Sequence, residues 1–140
     1  MDENLLQIKD FDGEGFKPLV AFSNWRVGIL RYMEDIHPNN NITMERHTET
    51  DEVFVLMQGR GVLIIGGNGL QVDRISLRTM EPGKVYNIRR NAWHTILLSR
   101  DASVLIVENY DTGEQNSEFT SLSNDVHRQI VETAAREQID

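Results

Sequence analysis

Four histidines occur in the chain, and two of them sit in patterns that can do chemistry. His47 ends the segment Ile42-Thr43-Met44-Glu45-Arg46-His47. The period of two of a strand puts Glu45 and His47 on one face, about 7 Å apart along it. Glu52 follows across Thr48-Glu49-Thr50-Asp51, a polar stretch suited to a bend that swings the chain back over the same face. His94 opens an apolar stretch in which Ile96 and Leu98 share its inward direction, so an imidazole enters an apolar interior. Burying it without a partner costs about 1–3 kcal/mol, so a partner is expected. An imidazole joined by a carboxylate is what hard-to-borderline divalent metals select. Each residue taken singly is more often structural, a surface-strand Glu or a hydrogen-bonded core His, and the reading rests on the constellation. His37, beside Pro38 in a polar loop, reads as ordinary surface, and His127 as a solvated residue of a C-terminal helix.

Composition narrows the alternatives. The 140 residues contain no cysteine, which removes disulfides, thiolate nucleophiles and cysteine-ligated zinc, and leaves His, Asp and Glu to hold any metal. Hydrophobic residues make up 39% and charged residues 26%, within the range of a folded domain. The length suits one domain spanning residues 1–140. A net charge of −8 opposes binding to nucleic acid or an anionic membrane, and the one dense basic spot is Arg89-Arg90. The acidic start Met1-Asp2-Glu3-Asn4 lacks the basic and apolar regions of a signal peptide, and no run reaches transmembrane length, so the expected address is the cytoplasm.

The elements that must position these residues are mostly strands. Turn signals recur every eight to twelve residues through the middle of the chain, the spacing of a sandwich or barrel. Trp25 to Tyr32 reads as a strand, and Asp35 to Asn41 as a loop. Glu52 to Met57 is apolar after its first residue, and Gln58-Gly59-Arg60-Gly61 is expected to turn it into Val62-Leu63-Ile64-Ile65 as a hairpin. Gly66-Gly67-Asn68-Gly69 marks a tight turn, with Leu70 to Leu77 returning as a strand. Lys84 to Ile88, Trp93 to Leu98 and Ala102 to Glu108 continue the series. If Glu52, Phe54 and Leu56 face inward, Val53, Val55 and Met57 form an equally apolar outer side that calls for a cover. Ser121 and Ser123 offer N-caps for an amphipathic helix over about residues 122–137, carried by Val126, Ile130 and Ala134, whose expected role is to clamp a sheet or a partner subunit.

Two motifs in order resemble those of the cupin superfamily. His47, four residues, Glu52, six residues and Gly59 resemble the second half of G-x5-H-x-H-x(3,4)-E-x6-G. Gly83, five residues, then Arg89-Arg90-Asn91-Ala92-Trp93-His94 follow G-x5-P-x-G-x2-H-x3-N without a gap. Asn39 and Glu45 stand where the first motif has Gly and His, Arg89 and Asn91 replace Pro and Gly of the second, and Leu98 replaces its final Asn. Asn91 is a mild change, because asparagine is the next best residue to glycine in a left-handed turn.

The resemblance implies an all-β fold, an antiparallel double-stranded β-helix of the jelly-roll type, with its barrel core at about 25–110 and the C-terminal helix outside it. It also implies a metal held by His47, Glu52 and His94. Glu45 is a possible fourth ligand or, if it does not ligate, a catalytic general base. A two-His, two-carboxylate set favours Fe, Mn, Ni or Zn over copper. The family includes metal-dependent isomerases, dioxygenases and decarboxylases and commonly forms homodimers, so the expected partners are a small oxygenated ligand, such as a sugar or keto acid, and a second copy of the chain. Two alternatives stand beside the enzyme: a non-catalytic binding or sensing module, and a metal-free barrel in which the same four side chains form a buried polar network.

Overall fold

Residue 2 and residues 4–140 are described by the structure, a computed structural model. Its strands are β1 (Gly15–Phe22), β2 (Trp25–Arg31), β3 (Thr43–His47), β4 (Glu52–Gln58), β5 (Gly61–Ile65), β6 (Ser76–Thr79), β7 (Tyr86–Ile88), β8 (His94–Leu98), β9 (Ser103–Asn109) and β10 (Ser117–Ser121), followed by the helix α1 (Asn124–Arg136). They form two five-stranded antiparallel sheets, ordered β1-β2-β9-β4-β7 and β10-β3-β8-β5-β6. The sheets face each other as an open sandwich and do not join into one closed barrel.

The turn at Gln58-Gly59-Arg60 departs from the expected hairpin. β4 pairs with β7 and β9, while β5 pairs with β6 and β8, so the turn carries the chain from one sheet to the other. Gly59 makes the crossing with φ +77°, and a Cβ there would stand 2.6 Å from the Ala102 Cα. Only glycine meets both conditions without strain.

Burial explains which strand goes where. β4 alternates, with Glu52, Phe54 and Leu56 inward, and its inner residues pack against Ile96, Val104 and Ile106. β5 is buried on both sides. Leu63 joins that inner cluster, and Val62 and Ile64 face outward onto α1 through Val126, Ile130 and Ala134. Full burial of Ile130 stabilises the helix by about 1.5–3 kcal/mol, more than its intrinsic helix propensity supplies. Ser123 caps the helix by accepting from the Val126 N–H at 3.1 Å. The expected clamp is thus present, over the sheet opposite β4. Val53 and Val55 on the outer side of β4 stay half-buried and Met57 is exposed.

The sheets extend past the expected core on both ends. β1 carries a weak strand signal because Pro18 removes a ladder donor, which only an edge strand tolerates; it sits on the edge, beside a register shift between Pro18 and Val20. β10 was missed because Ser117-Glu118-Phe119-Thr120-Ser121 has too little apolar content to read as a strand. The return after Gly66 is shorter than expected, since only Ser76 to Thr79 pair with β5 while Val72 folds back into the core. His127 is not simply solvated: its Nε2 lies 2.9 Å from the Pro38 carbonyl and ties α1 to the loop after β2. Among the described residues no helix is long and apolar enough to cross a membrane.

Candidate metal centre

Three strands from both sheets bring the expected residues together. His47 ends β3, Glu52 opens β4 and His94 opens β8. Glu45 on β3 lies directly across from His94. The bend at residues 48–51 does what its polar composition suggested, turning Glu52 back over His47 and into the other sheet. The second motif's turn is made by Asn91, at φ 69°. Its N–H donates to the His47 carbonyl at 2.7 Å, which ties the two motif segments to each other.

At the centre, one carboxylate oxygen faces two imidazoles. Glu52 Oε1 lies 3.1 Å from His47 Nε2 and 3.0 Å from His94 Nε2. Their far nitrogens are anchored, His47 Nδ1 at 2.8 Å from Ser117 Oγ and His94 Nδ1 at 2.9 Å from the Ala92 carbonyl. A carbonyl only accepts, so His94 Nδ1 carries a proton. A neutral His94 therefore presents a bare lone pair at Nε2 to an anionic oxygen. That contact is repulsive unless Nε2 is also protonated or a cation is shared between the two atoms. The imidazole rings meet edge-on with centroids 5.4 Å apart, and Phe54 closes the apolar side of His94 at 6.3 Å.

The charges follow from this packing. Burial alone would push the Glu52 carboxyl up, but the hydrogen bonds and charge of His47 and His94 outweigh it and hold it at about 2. Burial lowers the basicity of both histidines, and Glu52, by hydrogen bond and charge, raises them above their ordinary value. In the absence of a bound cation the trio is an ion network.

Glu108 and Arg26 were not anticipated. Glu108, only 6% exposed, faces inward from β9 and is pushed up to about 7 by burial and by the Glu52 charge, against the pull of Arg26. Arg26 grips it at 2.6 and 2.9 Å, donates two further N–H groups to the Tyr110 and Thr112 carbonyls, and lies over the Phe16 ring at 5.4 Å. A signal was present in the sequence: Glu108 shares the inward register of Val104 and Ile106, the same lone polar group on an apolar strand that singled out His94.

The donor atoms form two overlapping sets. Those of Glu45, His47 and His94 lie within 4.8 Å of one another, as do those of His47, Glu52 and Glu108. The donor chemistry fits a divalent cation of the zinc, iron, manganese or nickel kind, with nitrogen from two histidines and oxygen from carboxylates. Glu45 is the loosest member, with its side chain 42% exposed and its carboxylate 3.9 Å from His47 Nε2. All five groups border a cavity of about 450 Å³ between the sheets, walled by Phe16, Leu30, Phe54, Ile96 and Ile106.

No protein-family model and no curated protein sequence matches the chain. Solved structures do. Streptomyces PAC13, solved with uridine, is 8% identical and aligns with a TM-score of 0.58 over 83% of this chain and 86% of its own. The capsular polysaccharide assembling protein CapF from Staphylococcus aureus is 18% identical, with a TM-score of 0.56 over 88% of this chain and 34% of CapF. A cupin-2 domain containing protein from Shewanella frigidimarina is 18% identical, with a TM-score of 0.50 over 71% of this chain and 84% of its own. At these identities the likeness is one of fold, and with the two motif segments meeting at the His47–Glu52–His94 cluster, it shows that the chain is a small cupin-fold domain.

Proposed function

We propose that the chain, as a single domain, holds one divalent metal ion on His47, Glu52 and His94, and uses it to bind or act on a small oxygenated metabolite. The observation that carries this reading is His94, whose Nδ1 is committed to the Ala92 carbonyl while its Nε2 faces Glu52 Oε1 at 3.0 Å, an arrangement that a metal shared by the two atoms satisfies without a second proton on the ring. Such a metal supplies a Lewis acid for an oxygen of the ligand. The protein's own contribution is a dry apolar wall, fixed imidazole orientations through Ser117 and Ala92, and Glu45 placed at the mouth as a fourth ligand or a general base. Two structural neighbours were solved with small molecules, PAC13 with uridine and CapF with an inhibitor, which supports a small-molecule ligand for this fold here.

The test is metal analysis of protein purified without a histidine tag. About one equivalent of Zn, Fe, Mn or Ni, lost when His47 and His94 are both changed to Ala, is the expected result. A substoichiometric metal content unaffected by the double substitution overturns the reading. The direct Glu52 bonds to both histidines favour a second reading, a metal-free ion network that organises the cavity, and the same measurement separates the two.

We also propose a cytoplasmic homodimer. Register places Val27, Ile29, Val53, Val55, Leu105 and Val107 together on the outer side of the β1-β2-β9-β4-β7 sheet. By register the charged residues sharing this side are the basic Lys17 and Arg31, and two copies of a chain of net charge −8 repel least where they meet through a face without carboxylates. Sedimentation that gives a monomer mass at micromolar concentration refutes the dimer.

A further inference from the structure

The side chains around the cavity are charged in a way that selects its ligand. Among the described residues that border it, five carboxylates (Asp35, Glu45, Glu52, Glu108 and Glu114) face a single guanidinium, that of Arg26. Four of its five N–H groups are taken, by Glu108 and by the Tyr110 and Thr112 carbonyls, which leaves one on Nη1 and no two-pronged fork. Arginine is the usual means of seizing a carboxylate or phosphate, and here it is locked into the wall. The histidines do not reverse the balance: if both are protonated the lining remains negative, and if they hold a divalent ion it remains negative too. The rest of the lining is apolar or uncharged, with Phe119, 58% exposed, standing beside Glu45 on the neighbouring strand at the cavity mouth.

We infer that the cavity takes an uncharged or cationic ligand with a flat or apolar face and rejects carboxylates and phosphates. This inference rests on the cavity being the ligand site, and between sugars and keto acids it favours the uncharged, hydroxylated class and excludes the keto acids. Asp35 and Glu114 are the cavity's exposed lining carboxylates, so anions entering from solvent meet negative charge there. A ring with a hydroxyl or amino group instead finds the apolar wall for its face and carboxylate acceptors for its protons.

Three probes of one size and different charge test it: benzylamine, benzyl alcohol and benzoate, titrated into the metal-chelated 140-residue chain and followed by amide NMR shifts. Benzylamine and benzyl alcohol are expected to move the amides of Glu45, Phe54 and Ile106 with Kd in the millimolar range, and benzoate to bind at least about ten-fold more weakly. In the rim variant Asp35→Asn with Glu114→Gln, the gap between benzylamine and benzoate should shrink to about three-fold. Benzoate binding as tightly as benzylamine, no probe moving the cavity amides, or a gap unchanged in the rim variant each overturns the inference. A zinc titration of the same samples tests the metal reading independently: failure to bind zinc leaves the charge ranking intact, and a benzoate preference leaves the metal reading intact.

Discussion

Replacing Glu52 with Gln keeps the shape of the side chain and removes the charge that is hydrogen-bonded to both histidines. In the native chain Glu52 Oε1 is bonded to His47 and His94 at 3.1 and 3.0 Å. Charge-assisted hydrogen bonds of this kind contribute about 1.5–3 kcal/mol each, less the cost of keeping a carboxylate and two imidazoles out of water. In Glu52→Gln the largest opposition to burial is gone and the smaller one of Glu45 remains, so both histidines shift toward the neutral form, and the Gln amide N–H can donate to the lone pair of His94 Nε2. The loss is therefore the charged part alone, about 2 kcal/mol near pH 6, equivalent to a fall in Tm of roughly 6–8 °C for a domain of this size.

The pH dependence is the sharper test of this reasoning. A histidine raised above its unfolded value contributes stability that is fully present below about pH 6.5 and is lost as pH rises through its folded value. His47 and His94 are both raised, with Glu52 outweighing the effect of burial. The penalty for Glu52→Gln should accordingly be smaller near pH 8.5 than near pH 6, where it is about 2 kcal/mol. Urea denaturation of chelated protein at the two pH values measures it. An equal penalty at both would show that the substitution disturbs packing and not charge. No penalty near pH 6 would show that the histidines are uncharged in the folded chain.

Glu52 held at about 2 adds stability that is present above about pH 4.5 and lost as pH falls from there. Glu108, pushed up to about 7, costs stability as pH rises from about 4.5 through 7, because folding then requires a proton that the unfolded chain does not hold. The chelated protein should be most stable between about pH 4.5 and 6.5, and an optimum above pH 8 in a thermal scan would contradict this. Gly59→Ala should destabilise by about 3 kcal/mol or more in urea denaturation, since φ is +77° and the added Cβ meets backbone at 2.6 Å. Gly67→Ala has the same φ but open space, so it should cost only about 1 kcal/mol, and equal losses would refute the steric account. Ile130→Ala removes a fully buried anchor of α1 and should cost about 2–5 kcal/mol; a loss under about 1 kcal/mol would show that the helix is not held by that contact.

Local pattern accounts for much of what could be read before any fold was known. The period of two on Met44 to His47 and on Glu52 to Leu56, the N-cap at Ser123 and the left-handed turn at Asn91 are properties of neighbouring residues. They depend on backbone sterics and on side-chain alternation, and tertiary contacts do not overrule them here. The motif spacing carried His47, Glu52 and His94 to one point because each stands at a strand end, where a turn residue and not a long-range contact sets its direction.

What only tertiary structure decided is which strands pair and which charges are buried together. Gln58-Gly59-Arg60 has the composition of a hairpin, yet it crosses between sheets. β5 is apolar on both faces, and its outer one is satisfied only by a helix some sixty residues further on. β1 and β10 carry weak local signals because edge strands need little apolar surface, and their places come from the open flanks of β2 and β3. Glu108 is an ordinary acid in the sequence. Its charge depends on Glu52, fifty-six residues earlier, and on Arg26, eighty-two earlier, and a potential shared across that separation exists only once the sheets have closed over the cavity.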